Sequence, residues 1–73
     1  MKVKTIKEFK IKGDYITLSQ FLKEESIISS GGQAKWYLQE NPVWLNEVKE
    51  ARRGKKLRPG DQLQVEQTNY VFR

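Results

Sequence analysis

One run of basic residues has the composition of a phosphate-binding surface. The seven positions 52–58, RRGKKLR, carry five Lys or Arg side chains; we call them the basic segment. Arg presents a planar fork of donors and Lys a compact charge, and both displace the cations condensed on a polyanion. Gly54 permits either a close backbone approach or a turn. The plainer interpretation is a charged loop that faces only solvent. The predicted phosphate contacts are Arg52, Arg53, Lys55, Lys56 and Arg58.

A second candidate for phosphate binding is the sequence SSGG at positions 29–32, which precedes a predicted helix. The first turn of a helix presents free N–H groups and partial positive charge, and two glycines leave room for a ligand. Ordinary capping by Ser29 or Ser30 explains the same pattern equally well. The candidate binding residues at this helix start are Ser30, Gly31, Gly32, Gln33 and Lys35.

Two tryptophans lie off the predicted core-facing positions. Trp36 is about 200° from Ala34 around the helix, and Trp44 alternates with inward-facing residues of a predicted strand. Exposed Trp side chains stack on unpaired bases. Alternatively, a strand at the N-terminus covers one or both with Phe9 and Ile11. We favour that covering for Trp44. Trp36 stays open between the two interpretations and is included among the candidate binding residues.

Composition argues against catalysis. The chain has no Cys and no His, which removes thiolate chemistry and the commonest general base and metal ligand. Its acidic residues are scattered over predicted helix ends and turns. We therefore expect no enzyme activity, no cofactor, no metal site and no small-molecule substrate. No apolar run approaches the roughly 20 residues of a membrane span, and the N-terminus lacks the apolar core of a secretory signal. The expected location is the cytoplasm.

Charge is segregated along the chain, whose formal net charge is +5. Residues 1–12 hold five Lys and one Glu, and residues 49–58 hold six basic residues and one Glu. The stretch between them is acidic overall. Segregation of this kind favours a polyanionic partner.

The pattern of apolar residues predicts one α+β domain over residues 1–73. Thr17 and Gln20 fit a capping box at the start of a first helix, and apolar residues at helical spacing continue it. Pro42 limits the second helix to about residue 40. Turns are predicted at Asn46, at Pro59-Gly60 and at Thr68-Asn69. The expected elements are a strand at about 2–12, helices at about 18–25 and 31–40, and a small, mostly antiparallel sheet on which both helices pack.

The stretch LSQFLKEESIISSGGQAKWYLQENPVWLNE, followed by GKKLRPGDQLQV, resembles the S4 RNA-binding domain over about residues 16–66. The chain is similar in particular to small stand-alone S4-domain proteins of the YaaA type, through SGGQAKW and RRGKKL. The positions that carry the family pattern are Leu18 and Leu22, Ser30, Ala34, Leu38, Val43, Leu45, Asn46 and Gly60-Asp61.

Two positions differ from the common family pattern. Gly31 stands where Arg commonly follows the helix serine, so the backbone N–H groups of Gly31 and Gly32, or Lys35, would supply the phosphate contact. Glu47 stands where Gly commonly follows the hairpin asparagine. The resemblance implies an S4-type fold of two helices and a sheet.

Taken with the charge pattern, the resemblance implies a non-enzymatic module that binds structured RNA, ribosomal RNA or transfer RNA on the ribosome, through a basic face, and we expect a monomer. Three alternatives remain open at the level of sequence. The chain could bind DNA without sequence preference, act as an adaptor that docks on an acidic protein surface through Trp36, or serve as an accessory subunit of an enzyme.

Overall fold

The computed structural model describes residues 5–73 and contains a five-stranded sheet with two helices on one face. The strand order in this sheet is β1-β7-β6-β3-β4, and β2 and β5 form a separate two-stranded ribbon. A short 3-10 helix at Gly31–Gln33 leads directly into α2. The elements are β1 (Thr5–Phe9), β2 (Ile16–Thr17), α1 (Leu18–Glu24), α2 (Ala34–Glu40), β3 (Val43–Leu45), β4 (Val48–Glu50), β5 (Lys56–Leu57), β6 (Gln62–Val65) and β7 (Thr68–Phe72).

The predicted α+β architecture is confirmed, with one parallel pair of strands. β1 runs parallel to β7, and every other neighbouring pair is antiparallel. Of the strand predicted at about 2–12, the structure assigns Thr5–Phe9, and positions 2–4 lie outside the described residues. Hydrogen bonding to the end of β7 continues past the strand, because the N–H of Ile11 donates to the carbonyl of Arg73 at 2.8 Å.

Both predicted helices form where the apolar spacing places them. Thr17 and Gln20 make the predicted capping box at the start of α1, and α2 ends at Glu40 as Pro42 requires. The side chain of Phe21 in α1 is fully buried. Its ring meets those of Phe9, Tyr70 and Phe72 edge to face at centroid distances of 5.0, 4.8 and 5.0 Å. Phe9 thus closes the core over α1.

Two turns hold the end of the sheet beside the basic segment. Asn46 and Glu47, with φ of 50° and 71°, form the two-residue loop between β3 and β4. Asp61 closes the turn at Pro59-Gly60, where its N–H donates to the carbonyl of Arg58 at 3.0 Å and Gly60 has a φ of 99°. Asn46 links the turns, since its Nδ2 donates to Asp61 Oδ1 at 3.1 Å.

The left-handed backbone at position 47 favours glycine. An L-residue pays about 1 kcal/mol for this conformation, and the chain nevertheless carries Glu47 there. The hairpin therefore keeps its tight geometry at a cost in stability.

The turn predicted at Thr68-Asn69 was wrong by two residues. Val65 pairs directly with Thr68, so Glu66 and Gln67 make the turn and Thr68 already belongs to β7.

Candidate nucleic-acid interface

The backbone of the basic segment is fixed to the N-terminal end of α1. Lys56 and Leu57 pair with Thr17 and Ile16 in the two-stranded ribbon, and the Leu57 side chain is fully buried. The N–H of Leu18 donates to the carbonyl of Lys55 at 2.8 Å, and the N–H of Ser19 donates to that of Arg53 at 2.9 Å. The carbonyls of the segment thus satisfy N–H groups that open a helix. The segment is an ordered element and not a free loop.

Its cationic side chains point to solvent around a shallow concavity of about 360 Å³. Lys56 and Arg58 are exposed and Lys55 is half-buried. Among the described residues, no acidic side chain lines this concavity, whose walls come from Arg52, Gly54, Lys55, Lys56 and Arg58. Arg53 is also exposed beside it. Because the backbone is fixed, like charges are held close together, and an anion would relieve their repulsion.

Arg52 is the one member of the segment whose charge is paired within the described chain. Its Nε donates to Glu50 Oε2 at 3.1 Å and its Nη2 to Glu50 Oε1 at 3.3 Å. Glu50 is only 9% exposed, and its Oε2 also accepts from the N–H groups of Ala51 and Arg52. The hydrogen bond from Arg52 lowers the pKa of the Glu50 carboxyl. Arg52 therefore orders the start of the segment. Its Nε and Nη2 already donate to Glu50, so fewer of its N–H groups are available to a ligand.

Replacing the Glu50 carboxylate by an amide should weaken the fold in a pH-dependent way. Since the pKa of Glu50 lies below its ordinary 4.5 in the folded state, its contribution is present above pH 4.5 and is lost as pH falls through the folded-state pKa. We expect Glu50→Gln to lower the free energy of unfolding by about 1 kcal/mol at pH 7, and by less at pH 2.5. Urea unfolding at both values measures this, with Glu40→Gln as an exposed control. An equal loss at both pH values would contradict the assignment.

The start of the second helix differs from the capping that the sequence predicts. Ser30 occupies the N-cap position of the 3-10 helix, but its side chain makes no capping hydrogen bond. Ser29 instead donates from both its N–H and its Oγ to Gln33 Oε1, each at 2.8 Å. The prediction that one of the serines caps the helix was therefore wrong, because Gln33 folds back onto Ser29.

The two glycines at this helix start face open space. A Cβ atom on Gly31 would meet nothing within 4 Å, and one on Gly32 would meet only Ser30 Oγ at 4.0 Å. Neither glycine has a positive φ. Packing and backbone conformation therefore do not require glycine here, and both positions leave the backbone accessible to a ligand.

Both tryptophans are accessible, to different degrees. Trp36 is 66% exposed, and Lys35 Nζ lies 5.8 Å from its ring centroid. Trp44 is half-buried on the sheet face that the helices leave open, directly opposite Lys49 of β4. The prediction that Phe9 and Ile11 cover Trp44 was wrong. Both pack into the core, and β7 and β6 separate β1 from β3.

The structure brings the basic segment together with α1, and it places the start of the second helix beside α1 as well. Among the described residues, the concavity at the basic segment is lined by that segment alone. Trp36 and Gln33 border a separate groove of about 370 Å³ with Ile27 and Ile28. Whether both groups contact one ligand stays a prediction.

Tyr15 was not singled out by the sequence. The residue is 43% exposed, and Lys56 Nζ lies 4.9 Å from its ring centroid. The contact depends on the pairing of β2 with β5, which joins residues about 40 positions apart. No local pattern marks such a pairing, so the only available signal was an isolated tyrosine after a Gly-Asp turn.

No helix within residues 5–73 is long and apolar enough to cross a membrane. The same residues contain no group of three or more potential His, Cys, Asp or Glu ligands that could hold a metal ion.

Comparison with known proteins identifies the family. The model of the S4 domain matches residues 9–72, which is nearly the whole chain. The chain belongs to the S4 domain family, and the predicted family resemblance is confirmed. Among curated proteins, the chain is similar to one from Bacillus subtilis (strain 168) named "Probable ribosome maturation protein RlbA". The two are 48% identical over 56 residues, which cover 77% of this chain and 79% of the relative.

Proposed function

We propose that this protein is a non-enzymatic module that binds structured RNA of the ribosome, or an RNA associated with it, through the basic segment and the start of the second helix. The observation that carries the proposal is the ordered backbone of the basic segment. It presents Arg53, Lys56 and Arg58 to solvent with no described ion pair to neutralise them. An ordered cluster of this kind can bind several phosphates without first losing conformational freedom.

Family membership supports RNA as the ligand, and the name of the Bacillus subtilis relative supports an association with the ribosome. The surface itself is suited to recognising the shape of an RNA helix and not its base sequence. The deep, narrow major groove of an RNA helix excludes side chains, so proteins recognise such helices mainly through phosphates and 2′-hydroxyls. A positive surface built on short helices and turns, with exposed cationic side chains, fits this mode. A partner of this kind would place the protein in the cytoplasm.

A second candidate function rests on Trp36. A tryptophan that is 66% exposed, next to a groove with two isoleucines, is the kind of side chain that anchors a protein–protein contact. The adaptor hypothesis places an acidic protein surface against this side of the molecule. It predicts that the binding of RNA is weak and that Trp36→Ala affects only the protein partner.

Binding to matched RNA and DNA separates these functions. We expect fluorescence anisotropy to show at least about tenfold tighter binding to a structured RNA stem than to duplex DNA of the same sequence. With about four to six phosphate contacts, log Kd should change with log salt concentration with a slope of about 3 to 5. Equal affinity for both nucleic acids would favour the DNA-binding alternative. No measurable binding to either at low salt would favour the adaptor.

A further inference from the structure

A groove next to the basic segment combines cations with aromatic and aliphatic surface. It has a volume of about 420 Å³ and lies between the end of β1, the turn that follows it, and α1. Phe9, Tyr15 and Ile16 supply its apolar part. A groove of this size falls within the range of small-ligand sites. It has the volume and the mixed lining that a single nucleotide needs.

The charge of the groove favours an anion. Lys10, Lys12 and Lys23 line it, and Glu24 is the one acidic residue among the lining residues that the structure describes. All three lysines are exposed, and none belongs to an ion pair among the described residues. Lys10 and Lys12 belong to the basic stretch at residues 1–12. These lysines are not part of the phosphate-binding surface proposed for the basic segment. They can bind a phosphate in the same groove that Phe9 and Tyr15 line with aromatic rings.

Tyr15 connects this groove with the basic segment. Lys56, whose backbone pairs with Thr17, extends its ammonium group over the Tyr15 ring at 4.9 Å. The Tyr15 ring therefore contacts Lys56 of the basic segment and also lines the groove. Aromatic rings next to a cationic track are the usual arrangement for holding unpaired bases, because bases stack on the ring while cations follow the backbone.

We propose that this groove binds one unpaired nucleotide of the RNA, with its base against Tyr15 and its phosphate near Lys10 and Lys12. The proposal rests on the proposed function and extends it. The molecule would bind a stem through the basic segment and capture a bulged nucleotide beside that stem. It would thus prefer a stem interrupted by an unpaired base to a continuous one.

A matched pair of RNAs tests the groove apart from the general binding of RNA. Both are the same stem with a single-nucleotide bulge, and in one of them the bulged nucleotide is abasic. The number of phosphates and the sequence of the stem are equal, so the two RNAs differ only in the presence of the bulged base. We expect the wild type to bind the base-bearing RNA at least about fivefold tighter, because stacking of one base is worth about 1–3 kcal/mol.

Substitution of Tyr15 assigns that preference to the groove. Tyr15→Ala should erase the difference between the two RNAs while changing affinity for the abasic RNA less than about twofold. Tyr15→Phe keeps the ring and should keep the preference, and circular dichroism checks that both variants fold. The groove proposal is overturned if the wild type binds both RNAs equally, or if Tyr15→Ala weakens both to the same extent; either result leaves the proposed function standing. Failure of the wild type to bind any RNA overturns both.

Discussion

The double variant Arg53→Glu/Arg58→Glu is expected to bind a structured RNA stem about 100-fold more weakly than the wild type near 0.1 M salt. Each phosphate contact is worth roughly 1 kcal/mol at this ionic strength, and reversal replaces an attraction by a repulsion. Both side chains are exposed, and neither forms an ion pair among residues 5–73. The loss should therefore come from binding and not from unfolding. Fluorescence anisotropy, with circular dichroism as a check on the fold, measures it.

A control with the same change in net charge separates local from general electrostatics. Lys7→Glu/Lys49→Glu reverses two exposed lysines on β1 and β4, the two edge strands of the five-stranded sheet. We expect this variant to lose less than about fivefold in affinity. Equal losses for the two double variants would show that only the total charge matters, and the basic segment would then have no special role. Arg52 is unsuitable for this test because its reversal would place two carboxylates together at Glu50.

Phe21→Ala is expected to remove most of the stability of the domain. Truncation of a buried Phe to Ala costs about 3–5 kcal/mol, and a chain of this size has a total stability of only about 4–11 kcal/mol. Phe21 is central to the aromatic cluster, because three other rings contact it edge to face. We expect a loss near 4 kcal/mol in urea unfolding followed by circular dichroism.

The control for this prediction is Phe21→Leu, which keeps much of the buried volume and should lose about half as much. A loss under about 1.5 kcal/mol for Phe21→Ala would show that the aromatic cluster is not the centre of the core.

Local patterns in the sequence predicted the elements that depend on neighbouring residues. The helical spacing of Leu18, Phe21 and Leu22 and the capping pair Thr17-Gln20 fixed α1, and the position of Pro42 fixed the end of α2. The pair Pro59-Gly60 predicted a turn, and Gly60 has the positive φ that glycine adopts readily in such a turn. In each case the decisive interaction spans four residues or fewer, so the sequence itself carries the signal.

Features that depend on contacts distant in sequence could not be predicted in this way. The parallel pairing of β1 with β7 joins opposite ends of the chain, and the ribbon of β2 with β5 joins residues about 40 positions apart. The second pairing fixes the basic segment onto α1 and brings Lys56 to Tyr15. The separation of Trp44 from the N-terminal strand likewise follows from strand order, because β7 and β6 lie between β1 and β3.

Short-range competition between polar groups accounts for two other differences. Ser29 and Gln33 satisfy each other, so the serines do not cap the helix. Glu50 accepts hydrogen bonds from Arg52 across two residues, so the charge of Arg52 is partly engaged. In each case several partners were within reach of one polar group, and the sequence does not show which partner prevails.

Chemical-shift mapping of the isotope-labelled protein during titration with a structured RNA tests the central claim most directly. We expect the largest changes in backbone amide shifts at residues 53–58 and 30–36, with little change on the open sheet face around Trp44 and Lys49. That result would place RNA against the basic segment and the start of the second helix. Changes confined to the open sheet face, or their absence at residues 53–58 under saturating RNA, would contradict it.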